Sequence, residues 1–229
     1  MSYPISTSII YEKFQLNSEC PLCELKETAE EQFVHQFLND AVMENSTRKK
    51  VNELGFCERH FNMLFSRPNK LSLALQIYSH LDKNVLPHVY QTDNLKGALK
   101  QVEFIKKTSS TCIICDLIEE RMQKYYITFA KLYKNEQSFR DAIKNSNGFC
   151  LNHYAKLIEH ASNAGSLKAE FLNDITCVTE QNLERLNIEL KVFCDSHDYR
   201  NSYKPLGSSA TAINRMGIKL YGKPPKKIL

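Results

Sequence analysis

With 229 residues, 42% hydrophobic and 24% charged, the chain can bury a core as one large domain or two small ones. Seven glycines and seven prolines are few for an all-β protein, no window approaches the ~18 apolar residues of a membrane span, and MSYPISTSIIYEKFQL lacks the basic flank and apolar run of a signal peptide. The net charge of +4 is uneven: residues 199 to 229 carry seven basic and no acidic residues, which leaves −3 on residues 1 to 198. The compartment predicted is the cytoplasm, where thiols stay reduced, so the eight cysteines point to metal or redox chemistry, with disulfides the minority reading.

In chain order, Cys20-Pro-Leu-Cys23 opens the first patterned stretch, in which Leu25, Phe33, Phe37, Leu38 and Val42 recur at helical spacing. The polar segment ENSTRKKVNEL leads to Gly55, placed to end a helix in a left-handed conformation. CERHFNMLF then opens another helix, and residues 71 to 83 put Leu71, Leu75, Tyr78 and Leu81 on one apolar face. From Cys112-Ile-Ile-Cys115 the pattern restarts, with Leu117, Ile118, Met122, Tyr125, Phe129 and Leu132 in a helix, KNEQSFRDAIKNSN and Gly148 after it, and CLNHYAKLIEHA opening the next. Residues 167 to 194 form a longer helix with a broken stripe of Leu167, Phe171, Ile175, Val178, Leu186, Leu190 and Phe193. The tail is punctuated by proline, glycine and serine around one short helix, 208 to 220. Alternating β-branched runs are missing, so the fold expected is all-α. The organisation expected is two tandem related helical repeats, 1–98 and 99–197, each with a Cys3His zinc site. The second repeat carries the long helix, and the irregular basic tail, 198–229, packs on the body or is partly mobile.

The repeat is carried by its spacing. Cys20 to Cys112 and Cys23 to Cys115 are each 92 positions, while Cys57 to Cys150 and His60 to His153 are each 93. A duplication followed by one inserted residue accounts for both offsets. Each half supplies Cys-x-x-Cys and, about 34 positions on, Cys-x-x-His. Zinc takes four such ligands in a tetrahedron. A Cys-x-x-His at a helix start puts both side chains on one face, because positions i and i+3 lie one turn apart. Helix N-termini also favour the thiolate form. The eight residues are therefore read as two closed zinc sites, with an iron–sulfur cluster and two clusters of buried reduced cysteines as the alternatives. Pairing within each half needs only a hairpin of helices and is the arrangement expected, with exchange between halves left open.

The stretches ECPLCELKE, FLNDAVMENSTRKKVNELGFCERHFNML, CIICDLIEERM, FRDAIKNSNGFCLNHYAKL and DYRNSYKPLG resemble an uncharacterised bacterial family of unknown function. The resemblance covers nearly the whole chain. It implies a cytoplasmic bacterial protein that binds zinc, and it supplies no activity.

Arg48 and Arg140 also match at an offset of 92. They are candidates to support a metal-bound thiolate or to bond helix C-terminal carbonyls, against a plain solvated reading. Cys177 and Cys194 are read as core or surface thiols, and His35, His80, His88 and His160 as satisfied or exposed. The DYRN stretch is read as a clamp that docks the tail on the acidic body. No catalytic constellation is apparent: there is no Ser/His/Asp arrangement, phosphate loop or acid pair. The function expected is a zinc-stabilised helical binding or scaffold protein with a protein partner and no membrane. One alternative is nucleic-acid binding through the tail, with Arg200, Lys204, Arg215 and Lys219 as candidate contacts. The other is a redox- or metal-responsive zinc–thiolate sensor.

Overall fold

The computed structural model describes residues 3–39, 44–197 and 206–224. Among them the chain forms eleven α-helices and no strand, as its periodicity predicts. In order these are α1 (Ser8–Gln15), α2 (Pro21–Leu38), α3 (Asn45–Leu54), α4 (Glu58–Phe65), α5 (Lys70–His80) and α6 (Leu95–Ser110). They continue with α7 (Ile113–Asn135), α8 (Gln137–Lys144), α9 (Leu151–Glu159), α10 (Lys168–Ser196) and α11 (Ala212–Tyr221). The expected long helix is α10, and the tail helix is α11 after a short 3-10 turn over Gly207–Thr211. Helices α1 and α6 were not anticipated; α1 buries only Ile10 and α6 buries no residue, so neither has the broad apolar face that periodicity detects.

Two glycines set the turns before α4 and α9. Gly55 ends α3 with φ 61°, returning its N–H to the Val51 carbonyl at 2.8 Å. Gly148 has φ 74°, and a Cβ there would come within 3.0 Å of the Val178 carbonyl oxygen. Positive φ and close backbone approach both select glycine.

The chain packs as two compact units. The first comprises residues up to Glu27 together with Met122 onward, and the second runs from Thr28 to Arg121. This differs from the 1–98, 99–197 and 198–229 partition, because the boundaries fall inside α2 and α7 and α11 belongs to the first unit. The first unit centres on Phe129, Phe139 and Phe149, all fully buried, with ring centroids 4.8 and 5.6 Å apart at Phe129. Beside them Tyr133 packs edge-on to Phe171 and donates its hydroxyl to Asp174 at 2.6 Å. The second unit is built on Phe33, Val34, Phe37 and Leu38 of α2, Val51 of α3, Leu64 of α4, and Ile113 and Ile114 at the start of α7.

Helix α5 inverts the expected face. Leu71 is 70% exposed and Tyr78 69%, whereas Leu73 is 3% exposed. Gln76 explains the rotation: its amide nitrogen donates to the Phe37 carbonyl at 2.7 Å, a bond that saturates an orphan carbonyl at the end of α2. Leu95, Leu99, Val102 and Ile105 of α6 are exposed as well. Leu73→Ala should therefore cost about 2–5 kcal/mol of unfolding free energy, and Leu75→Ala less than about 0.5 kcal/mol, in urea denaturation followed by circular dichroism.

Candidate metal centres

The eight predicted ligands converge as two tetrads. Cys20, Cys23, Cys150 and His153 meet in the first unit, and Cys57, His60, Cys112 and Cys115 in the second, with all ligand atoms of a tetrad within 4.8 Å of one another. In the first, His153 Nδ1 lies 3.4 Å from Cys20 Sγ, 3.4 Å from Cys23 Sγ and 3.2 Å from Cys150 Sγ. In the second, His60 Nδ1 lies 3.3 Å from the sulfurs of Cys57, Cys112 and Cys115. Sulfur–sulfur separations are 3.7 Å for Cys23–Cys150 and 3.8 Å for Cys57–Cys115. A tetrahedron with metal–sulfur bonds of about 2.3 Å and metal–nitrogen bonds of about 2.0 Å has edges of about 3.8 Å and 3.5 Å respectively. The donor sets fit such an ion, and every cysteine is free.

The expected pairing within each half is overturned. Each tetrad takes its Cys-x-x-Cys from one half and its Cys-x-x-His from the other. In each half a long helix follows the Cys-x-x-Cys, 18 residues in α2 and 23 in α7, and the Cys-x-x-His further along the same half belongs to the other tetrad.

Local geometry follows the duplication closely. Cys57 and Cys150 are the N-cap residues of α4 and α9, with φ/ψ of −72°/163° and −74°/156°. Their carbonyls accept from Phe61 N–H at 2.9 Å and Tyr154 N–H at 2.8 Å. The other half-sites open α2 and α7, so all four meet the positive end of a helix, as predicted.

The bridges between paired segments diverge. In the second tetrad Ile113 N–H donates to the Gly55 carbonyl at 3.1 Å, and Thr111 Oγ1 donates to the Leu54 carbonyl at 2.8 Å. The position 92 residues before Ile113 is Pro21, which has no N–H to give. Lys219 of α11 supplies the missing donors in the first tetrad: fully buried, its Nζ donates to the Glu19 carbonyl at 2.6 Å and to the Asn147 carbonyl. The backbone N–H of Lys223 also bonds to the Cys23 sulfur.

Outside the ligands the two sites differ again. His60 Nε2 bonds to Glu30 Oε1 at 3.0 Å, and Glu30 Oε2 accepts from Arg59 at 2.6 Å. Burial would raise the Glu30 pKa, but the bonds from His60 and Arg59 hold it below the ordinary value. A carboxylate on the far nitrogen orients the imidazole and increases its basicity. The repeat places Met122 where Glu30 would recur, and the Tyr126 ring centroid lies 6.2 Å from that of His153. Sequence reasoning missed Glu30 and gave Lys219 the different role of a partner contact, since nothing local marks an acid in α2 or an internal lysine in the tail.

Packed this closely, the thiols cannot all ionise alone. Burial and neighbouring sulfurs push Cys20 well up, the contact with Cys150 pushes Cys23 up to about 12, and burial together with the Cys112 and Cys57 charges raises Cys115. Cys150 is held down by bonds from Cys20 and Cys23, while Cys112, despite burial, is lowered to about 6 by His60. A divalent cation at the centre removes that competition and takes three thiolates together.

The remaining candidates separate clearly. Arg140 donates to the Tyr133 carbonyl at 2.6 Å and the Lys134 carbonyl at 3.3 Å, so it caps the end of α7 and does not support a thiolate. Arg48 is exposed on α3. Cys177 and Cys194 are exposed on α10, away from both tetrads. Arg200, Lys204 and the DYRN stretch lie outside the described residues. Arg215 pairs with Glu189 and Glu19, and Lys223 bonds Glu24 and Glu27 at 2.7 Å. Lys219, expected as a partner contact, is an internal strut.

The fold and its two Cys3His clusters define an all-helical protein equipped to bind metal. Residues 1–227 match the model of a family of unknown function, DUF6062, and the chain belongs to that family. It is 25% identical over 182 residues to the "uncharacterized 23.9 kDa protein in xynA 3'region" of Caldicellulosiruptor sp. (strain Rt8B.4), covering 80% of this chain and 84% of the relative. No solved structure matches it.

Crossed pairing has a direct consequence for metal content. A chain carrying Cys23→Ser and Cys150→Ser should keep one of its two metal equivalents, whereas Cys23→Ser with Cys57→Ser should keep neither, in elemental analysis against protein concentration. Glu30→Ala should weaken the second tetrad by about 10- to 100-fold and leave the first unchanged, in competition titrations with a chromophoric chelator.

Proposed function

We propose that this is a zinc-binding, cytoplasmic bacterial protein whose two Zn(Cys3His) centres are structural, holding a helical body that serves as a binding or scaffold module. The tetrahedral spacing of both donor sets carries this reading. Three sulfurs and one imidazole nitrogen favour zinc over hard cations, which prefer oxygen. Four protein ligands fill the coordination sphere, and catalytic zinc keeps a position open. Each ion would join segments far apart in sequence: Cys23 and Cys150 are separated by 127 positions, Cys57 and Cys115 by 58. Such cross-links remove conformational freedom from the unfolded chain, and ligand binding of this kind is coupled to folding.

A protein partner is favoured over nucleic acid. Outward apolar side chains on α5 and α6, including Leu71, Tyr78, Leu95 and Leu99, are the surface type that marks protein contacts. Arg215, Lys219 and Lys223 of the basic tail are already engaged with carboxylates of the first unit.

The test is metal content and its link to folding. Protein purified without added metal should contain two zinc ions per chain, and removing them with a strong chelator should lower the Tm and the helical signal in circular dichroism. Iron in place of zinc, or full helicity and an unchanged Tm after stripping, would refute this reading.

A further inference from the structure

We propose that the second tetrad is a peroxide-modifiable site, in which Cys115 and Cys57 are oxidised to a disulfide and release their zinc while the first tetrad keeps its own. This rests on the reading of both tetrads as zinc sites. The duplicated motifs are matched in ligand type and local backbone, yet differ in access. Cys20, Cys23 and Cys150 are buried, at 5% exposure or less, whereas Cys115 is exposed and Cys57 half-buried. An oxidant in solution reaches Cys115 far more readily than any cysteine of the first site, and thiolate oxidation follows exposure.

The groups around the two sites differ as well. The first tetrad has the Lys223 N–H on Cys23 and the buried Lys219 ammonium, itself paired with Glu19, close to Cys20, and both are donors directed at that site. The second tetrad has the Glu30 carboxylate, paired with Arg59, on the far nitrogen of His60, where it raises the basicity of the imidazole. Cys57 and the exposed Cys115 are also neighbours, with their sulfurs 3.8 Å apart. They come from segments 58 positions apart, so a bond between them would keep those segments joined after the metal leaves.

The chemistry balances with hydrogen peroxide as the oxidant. The Cys115 thiolate attacks one peroxide oxygen, the O–O bond breaks, hydroxide leaves and a sulfenic acid forms. The Cys57 thiolate then attacks that sulfur, the S–O bond breaks, a second hydroxide leaves and the disulfide forms. The two thiolates lose two electrons, which reduce one peroxide to two hydroxides, taken up as water by two protons. Zinc, left with Cys112 and His60, dissociates.

The test uses the full chain loaded with two zincs and freed of reductant. It is treated with hydrogen peroxide, zinc release is followed with a chromophoric chelator, and disulfides are mapped by mass spectrometry after thiol alkylation. One zinc should leave at least about 10-fold faster than the other, with a Cys57–Cys115 disulfide, and dithiothreitol plus zinc should restore the starting state. The same result should hold with Cys177→Ser and Cys194→Ser, which remove the other exposed thiols. Simultaneous release from a two-zinc chain, or a first disulfide among Cys20, Cys23 and Cys150, would overturn this inference alone. A chain purified without zinc would overturn it together with the metal reading beneath it.

Discussion

Three sulfurs and an imidazole nitrogen within 4.8 Å of one another cannot be stable as three thiolates unless a cation lies between them. That electrostatic requirement organises each unit of the protein. It brings two helix starts together at every tetrad, so that the positive ends of four helices face sulfur. It also selects the glycine turns, whose positive φ aims the following cysteine inward at the N-cap. The hydrophobic clusters around Phe129 and Phe37 are built on the same helices, α7 and α2, that open at the Cys-x-x-Cys half-sites. Burial of apolar area supplies the bulk of the folding free energy, while a metal ion at each tetrad would tie together segments distant in sequence.

The internal repeat presents two sites with the same ligand types in different surroundings. At Ile113 a backbone N–H bridges the paired turns; at Pro21 no such donor exists, and a lysine from the far end of the chain takes its place. Helix α11 is thereby built into the first tetrad. Among the described residues around it, Arg215 pairs with Glu189 and Lys223 with Glu24 and Glu27. The second tetrad has the backbone bridge, Glu30 behind its histidine, an exposed Cys115 and a half-buried Cys57.

The expectations that held were those with local causes. Cys-x-x-Cys at a helix start, Cys-x-x-His one turn apart, positive φ at Gly55 and Gly148, and the apolar stripe of α10 all depend on a few neighbouring residues. Those that failed needed the path of the chain. Leu71, Leu75 and Tyr78 do form one face of α5, but Gln76 bonding to the end of α2 turns that face outward, and Leu81 falls in the π-helical turn that follows. Arg140 met the second of its two expected roles because the end of α7 lies beside it, and Lys219 proved internal because Glu19 and Asn147 present carbonyls to it.

By itself, then, the sequence determined the helical class, the eight ligand residues and the local geometry of each half-site, since all of these follow from short-range spacing and backbone preference. Only the tertiary structure decided which half-sites combine. Spacing is the same for either pairing, because each Cys-x-x-Cys could close with either Cys-x-x-His; the partners that do meet stand 127 and 58 positions apart, and only the path of the folded chain brings them to one point.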